Sequence, residues 1–234
     1  MTRFRLITEG VTDQAVIENI LYGCCGEDIS IAELQPLRDQ KDSFGNWIAV
    51  FSYCASSKFE EAFQFTDYIV IHIDTDRCED KNFDVPRQEE GVTLSPRQLI
   101  ERVELKLREK IGQKVWEAFG ERIIFAIAVD SIECWLLPLY AKAPHNAKYQ
   151  NCLDTLNRER AKQKFARPLG KRYRDYQEAS RKYSKPRTLK ECCQVNDGLQ
   201  TFIENLQRRD LDRFDEEVPD AEVKTGEGDE TATA

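Results

Sequence analysis

Three apolar runs in this chain each lead into an acidic residue, and that pairing constrains the fold more than any other feature. Arg3-Phe4-Arg5-Leu6-Ile7-Thr8 leads into Glu9-Gly10, Tyr68-Ile69-Val70-Ile71-His72-Ile73 into Asp74-Thr75-Asp76, and Ile123-Ile124-Phe125-Ala126-Ile127-Ala128-Val129 into Asp130, with Glu133 close behind. Short runs rich in β-branched residues read as buried strands. In an open α/β sheet the ligand crevice lies outside the carboxyl ends of the strands. Strands that each deliver a carboxylate to that edge build one acidic cluster. Two carboxylates about 4 Å apart repel by roughly 4 kcal/mol at an effective dielectric of about 20. A fold that gathers several calls for a cation, and oxygen-only ligands point to a hard ion, Mg²⁺ or Mn²⁺.

The rest of the chain supplies the helices such a sheet needs. After the first strand, Gly10 allows a tight turn and Thr12 is placed to cap a helix whose apolar face is Ala15, Val16, Ile17, Ile20 and Leu21. Residues 29–36 alternate like a strand, 39–45 are a polar loop, 47–53 are ambiguous between helix and strand, and 58–65 are helical. Residues 77–96 are long, polar and irregular, a length that inside a compact domain often marks function. Ser95-Pro96 opens a helix predicted to run to Phe119, with Gly120 ending it. Ser131 is placed to cap a short helix carrying Glu133, Trp135, Leu136 and Leu137. Strand and helix alternate to about residue 143, which predicts a mostly parallel, four-stranded sheet with right-handed crossovers. Beyond it, 149–165 and 189–206 read as helical. The expected organisation is an α/β domain over 1–143, a helical basic extension over 144–214, and an acidic disordered tail over 215–234.

Charge supports that division. The net charge is −8, yet Lys142 to Lys190 holds 15 Lys and Arg against four acids, and Asp210 to Glu230 holds ten acids against two bases. Within the basic segment, Lys171, Arg172, Arg174, Arg181, Lys182, Lys185 and Arg187 interleave with Tyr173, Tyr176 and Tyr183. Phosphate pairing and base stacking would use that mixture, so nucleic acid is the expected partner; a solvated helix face is the plainer alternative. No apolar run approaches the roughly 20 residues that cross a bilayer, so no membrane partner is expected. The N-terminus lacks a signal-peptide pattern, and a cytoplasmic location is expected. The eight cysteines include no Cys-x-x-Cys, and the histidines number two. A zinc site and a disulfide framework are both disfavoured, and Cys134 and Cys152 read as small buried hydrophobes. His72, inside a strand, reads as a satisfied core histidine.

Glu9-Gly10 after the first strand and Asp74-Thr75-Asp76 after a later one resemble the TOPRIM (topoisomerase–primase) domain, over about residues 1–140. Glu9-Gly-Val-Thr-Asp13 is most similar to the stand-alone and OLD-family TOPRIM nucleases, and Val129 to Leu137 resembles a patch of a small TOPRIM-like group. The resemblance implies a Rossmann-like fold and catalytic roles for Glu9, Asp74 and Asp76. Asp74 and Asp76 would hold Mg²⁺, Glu9 would be a ligand or general acid/base, and Glu133 or Asp130 an additional ligand. It implies a Mg²⁺- or Mn²⁺-dependent nuclease, or nuclease subunit, cleaving DNA or RNA in anti-phage defence or nucleic-acid repair. Paired ions can clamp the attacking and leaving oxygens of a phosphodiester. The chain has no P-loop, so an ATPase partner would be a separate protein, and it lacks the further modules of topoisomerases and primases. Some relatives place a lysine near the metals, for which Lys81 is the candidate. Self-association is left open. A different class also fits: a non-catalytic TOPRIM-like subunit docking a partner ATPase or toxin. A metal-dependent phosphatase on a similar fold is a third.

Overall fold

The computed structural model describes residues 1–38, 45–163 and 167–214; the loop expected over 39–45, all but Gly45, the last two residues of the helix expected over 149–165, and the tail over 215–234 lie outside them. The chain opens with β1 (Thr2–Ile7), α1 (Val11–Cys25), β2 (Ile29–Gln35), α2 (Trp47–Cys54), α3 (Ser57–Ala62) and β3 (Tyr68–Asp74). A small antiparallel ribbon follows, β4 (Gln88–Glu89) with β5 (Val92–Thr93), and then α4 (Pro96–Ile111), α5 (Gln113–Phe119), β6 (Ile123–Ala128) and α6 (Glu133–Tyr140). The remaining helices are α7 (Cys152–Lys162), α8 (Tyr173–Ser180), α9 (Pro186–Cys193) and α10 (Asp197–Gln207). The four long strands form one all-parallel sheet in the order β2-β1-β3-β6, as the alternation of elements predicts.

The two-residue period of the strands sorts the core into two layers. Phe4, Leu6, Val70, Ile124, Ala126 and Ala128 pack against α1 and α6–α10. Ile69, Ile71, Ile73, Ile123, Phe125 and Ile127 pack against α2–α5. Right-handed crossovers account for the division: the chain steps from β1 to β2 in one direction, then crosses back past β1 to β3 and β6 in the other. The helices after residue 144 belong to the first layer. Along β6, Asn205 Nδ2 of α10 donates to the Phe125 carbonyl at 3.3 Å, and Arg209 donates to that of Ile123 at 2.8 Å. Gly23 in α1 makes room for the chain after α8: a Cβ there would lie 1.8 Å from the Tyr183 carbonyl oxygen.

Several local expectations are corrected. The helix predicted to run from Pro96 to Phe119 breaks at Gly112, whose φ of +84° is a left-handed conformation that favours glycine. The helix predicted over 189–206 is two, because Asn196 caps α10 by accepting from Leu199 N–H at 3.1 Å. The ambiguous 47–53 segment is helical, capped by Asn46, which accepts from Ala49 N–H at 2.9 Å. Thr12 does not cap α1. The helix begins at Val11, and Asp13 turns back to accept the Gly10 N–H at 2.7 Å. Ser131 does not cap α6: Ile132 is the residue before the helix, and the Ser131 carbonyl accepts Cys134 N–H at 3.0 Å in the turn that leads in. Cys134 and Cys152, expected as free apolar thiols, are joined in a disulfide. Packing of α6 on α7 brings their Cα atoms to 5.1 Å, within bridging distance, a proximity that residues 18 apart do not signal in the sequence. Among the described residues no helix is long and apolar enough to cross a membrane.

Candidate functional site

The strand order reverses between β1 and β3, because β2 lies on one side of β1 and β3 and β6 on the other. Such a switch point opens a crevice at the carboxyl edge of a parallel sheet. Glu9 follows β1, Asp74 ends β3, and Asp130 follows β6, whose Ala128 pairs with Asp74. Asp13 stands in the first turn of α1, and Glu133 opens α6. The acidic residues singled out in the sequence therefore reach one edge of the molecule.

Glu9 is tied directly to β3, where its Oε1 accepts the Asp74 N–H at 2.8 Å. Its backbone is clamped from the other side by Gly45, where a Cβ would lie 1.7 Å from the Glu9 carbonyl oxygen. The loop after β3 is tied to the loop after β6: Asp76 N–H donates to the Asp130 carbonyl at 3.0 Å, and Asp130 N–H to Thr75 Oγ1 at 2.9 Å. Asp130 itself holds φ +68°, an unusual conformation for a non-glycine residue, which these two bonds fix. Glu133 accepts from the Tyr176 hydroxyl of α8.

The electrostatics follow from gathering carboxylates where water is scarce. Burial pushes Glu9 up to about 8, against the pull of the Asp74 N–H, and the charge of Asp13 adds to the rise. Burial pushes Asp13 up to about 7, opposed by the Gly10 N–H and reinforced by Glu133. Asp74 is raised well above the usual range, first by burial and then by Asp13, Glu9, Glu133 and Asp76. Burial also raises Asp76 and Asp130, with Arg87 opposing both.

His72 is not the satisfied core histidine the sequence suggested. Its side chain is fully buried, and neither ring nitrogen has a hydrogen-bond partner. Nδ1 lies 3.6 Å from Asp13 Oδ2 and Nε2 lies 3.5 Å from Asp74 Oδ1, an oxygen that is also buried without a hydrogen bond. Burial pulls the imidazole down to about 3, so near neutral pH it is uncharged between two acids. Its edge packs against the Trp135 ring. Asp13 both accepts the Gly10 N–H at the start of α1 and is a buried member of the acidic group.

A cleft of about 620 Å³ opens over this edge, and Asp74, Asp76, Asp130, Glu133, Cys152 and Lys171 are among its lining residues. Lys171 was expected only to grip nucleic acid. Lys81, the candidate for a lysine near the ions, is exposed and does not line the cleft. Arg87, absent from the sequence expectations, reaches back to donate to the Thr75 carbonyl. The other basic residues are exposed but spread: Arg174 and Arg181 line a separate groove with Asn19 and Ser184, while Lys182 and Lys185 lie in neither lining. Arg172 pairs with Asp175 at 3.0 Å and Arg187 with Glu191 at 3.2 Å. The interleaved tyrosines are not stacking platforms. Tyr183 is fully buried, with its hydroxyl on the Trp135 carbonyl, Tyr176 is buried, and Tyr173 packs under Arg38, whose Cζ is 4.4 Å from the ring centre.

The donor set suits a hard divalent cation: oxygen ligands only, mutually repelling, with a buried Asp74 oxygen lacking any hydrogen bond. Among the described residues, however, no three carboxylates each place an oxygen within 4.8 Å of the others; the set that meets this distance is Asp130, Cys134 and Cys152. No protein-family model, curated protein or solved structure matches the chain.

Proposed function

We infer that the protein is a TOPRIM-like, Mg²⁺- or Mn²⁺-dependent nuclease, or the nuclease subunit of a larger assembly, that hydrolyses phosphodiester bonds of DNA or RNA. One observation carries this: Glu9 and Asp74, from adjacent parallel strands, meet through a 2.8 Å hydrogen bond at the sheet's switch point, with Asp76, Asp130 and Glu133 on the same edge. Asp74, Asp76 and Glu133 are the residues that would hold the cation, with Glu9 beside them. The cation would supply neutralisation of the carboxylates and polarisation of a phosphoryl oxygen.

The chain's own groups do the rest. Glu9, once ionised beside the cation, would accept the proton of the attacking water. The new bond would form between water oxygen and phosphorus, the bond from phosphorus to one ester oxygen would break, and the released alkoxide would take a proton from solvent, to which Glu9 returns the one it accepted. Lys171 at the cleft places a positive charge opposite the incoming phosphate. Glu133, tied to Tyr176, is held in place by α8.

The test is cleavage of plasmid, single-stranded DNA and tRNA by purified protein with Mg²⁺ or Mn²⁺. Cleavage by the wild type that disappears in Asp74→Asn and Glu9→Gln is expected; activity that survives both variants removes the site. A second reading, a non-catalytic subunit, is favoured by the wide spacing of the carboxylates. Folded protein with neither cation affinity nor cleavage selects it.

A further inference from the structure

Beside the oxygen cluster lies a set of donors of different chemistry. Asp130, Cys134 and Cys152 bring a carboxylate oxygen and two sulfurs within 4.8 Å of one another. The geometry points to a second, thiolate-rich site: when the Cys134–Cys152 disulfide is reduced, Asp130, Cys134 and Cys152 bind a soft divalent ion of the Zn²⁺ class. This goes beyond the nuclease reading and does not depend on it, and it assigns Asp130 to the sulfur site.

Position supports the assignment on three counts. Cys134 is the second residue of α6 and Cys152 the first of α7, so both sulfurs belong to the opening turn of a helix. The third ligand is fixed by bonds that leave its carboxylate free, since the Asp130 backbone is held by Thr75 Oγ1 at 2.9 Å and by Asp76 N–H at 3.0 Å. Supporting bonds of this kind orient metal ligands. Finally, Cys152 and Asp130 both line the 620 Å³ cleft, so an ion has a route in and a coordination position open to solvent. Three protein ligands with one open position is a pattern zinc accepts, and thiolates discriminate strongly against Mg²⁺.

The redox balance is simple. A cellular dithiol reductant passes two electrons and two protons to the disulfide, becoming a disulfide itself and leaving Cys134 and Cys152 as thiols. Binding of the divalent ion then releases those two protons to solvent, and both sulfurs ligate as thiolates. Oxidation reverses both events and expels the ion.

Cobalt(II) is the probe, added anaerobically to the full-length chain before and after reduction. The reduced wild type is expected to show a near-ultraviolet thiolate-to-cobalt charge-transfer band that Zn²⁺ abolishes. The oxidised protein shows none. Cys134→Ser and Cys152→Ser lose the band, which separates this site from the chain's other buried cysteines. Asp130→Asn retains both cysteines and guards against loss of fold; its cobalt affinity falls by at least the roughly 10–100-fold that removing even an outer supporting group costs. The band is read without any cleavage assay, so failure here and failure of the nuclease reading are distinct results. No band in reduced wild type, or a band that persists in both cysteine variants, overturns the assignment.

Discussion

The two helical layers cover the same sheet but differ in what they bury. Among the described residues, α2–α5 bury no polar or charged side chain; Val50, Phe59, Val103 and Leu107 are typical of what they bring to the sheet. The opposite layer buries Asp13 and Gln14 on α1, Ser180 on α8 and Asn205 on α10, and His72 of β3 points into it. Burying polar groups is costly unless each is partnered. The layer that carries that cost is also the one through which Asp13, His72, Glu133 and Tyr176 support the carboxyl edge. One face of the sheet is thus packing, and the other is packing interrupted by chemistry.

The sharpest way to break the comparison is to mutate one residue on each side. Asp74→Asn is expected to bring metal-dependent cleavage to background while leaving the metal-free melting temperature equal or higher, because a buried acid crowded by other carboxylates gives way to an amide that cannot ionise. Activity and calorimetric melting measured together check it. Leu107→Ala, in the apolar layer, should do the reverse: a cost of about 2–5 kcal/mol by urea denaturation, with cleavage per folded molecule unchanged. An active-site effect from Leu107→Ala would erase the distinction between the layers.

His72→Leu probes the polar layer more finely. A buried unsatisfied polar group costs about 1–3 kcal/mol, so the metal-free variant should gain on that scale in denaturant titration and bind the cation less well. A large loss of stability would mean that the histidine is an ordinary packing residue.

The smallest expected effect is in pH. Glu9 and Asp13 are raised to about 8 and about 7, so they stay protonated in the fold where the unfolded chain has already ionised; their stabilising contribution is complete at low pH and lost as pH rises through those values. His72, lowered from 6.5 to about 3, acts oppositely, its contribution being lost as pH falls through that interval. Between pH 6.5 and 8 the carboxylates act alone, so the metal-free melting temperature should fall across that window and Mg²⁺ should restore it most at the upper end. A flat profile with no Mg²⁺ effect would contradict the coupling of the acids.

The sheet and its acidic edge were legible because both depend on local pattern. Apolar runs of strand length ending on Glu9, Asp74 and Asp130 need only a parallel order to meet. What the sequence hid depends on tertiary neighbours. Nothing local marks Cys134 and Cys152 as partners, since α6 must first fold against α7. His72 looks like any strand residue until α1 brings Asp13 over it. The tyrosines of 173–183 looked available for bases, yet the α1 surface and Trp135 occupy them. Lys171 becomes a cleft residue only when the segment before α8 folds back over β6 and α6. Gly112 could have been read as a helix end, but the apolar stripe on either side of it outweighed that signal.

The central claim is that the carboxyl edge holds a hard cation, and the most direct measurement is calorimetric titration of Mn²⁺ into the oxidised wild type, Asp74→Asn and Glu9→Gln. Keeping the disulfide closed removes the sulfur site from the titration. Saturable binding by the wild type, lost in Asp74→Asn and weakened in Glu9→Gln, is the result predicted. No binding by the wild type, or equal binding by all three folded proteins, would contradict it.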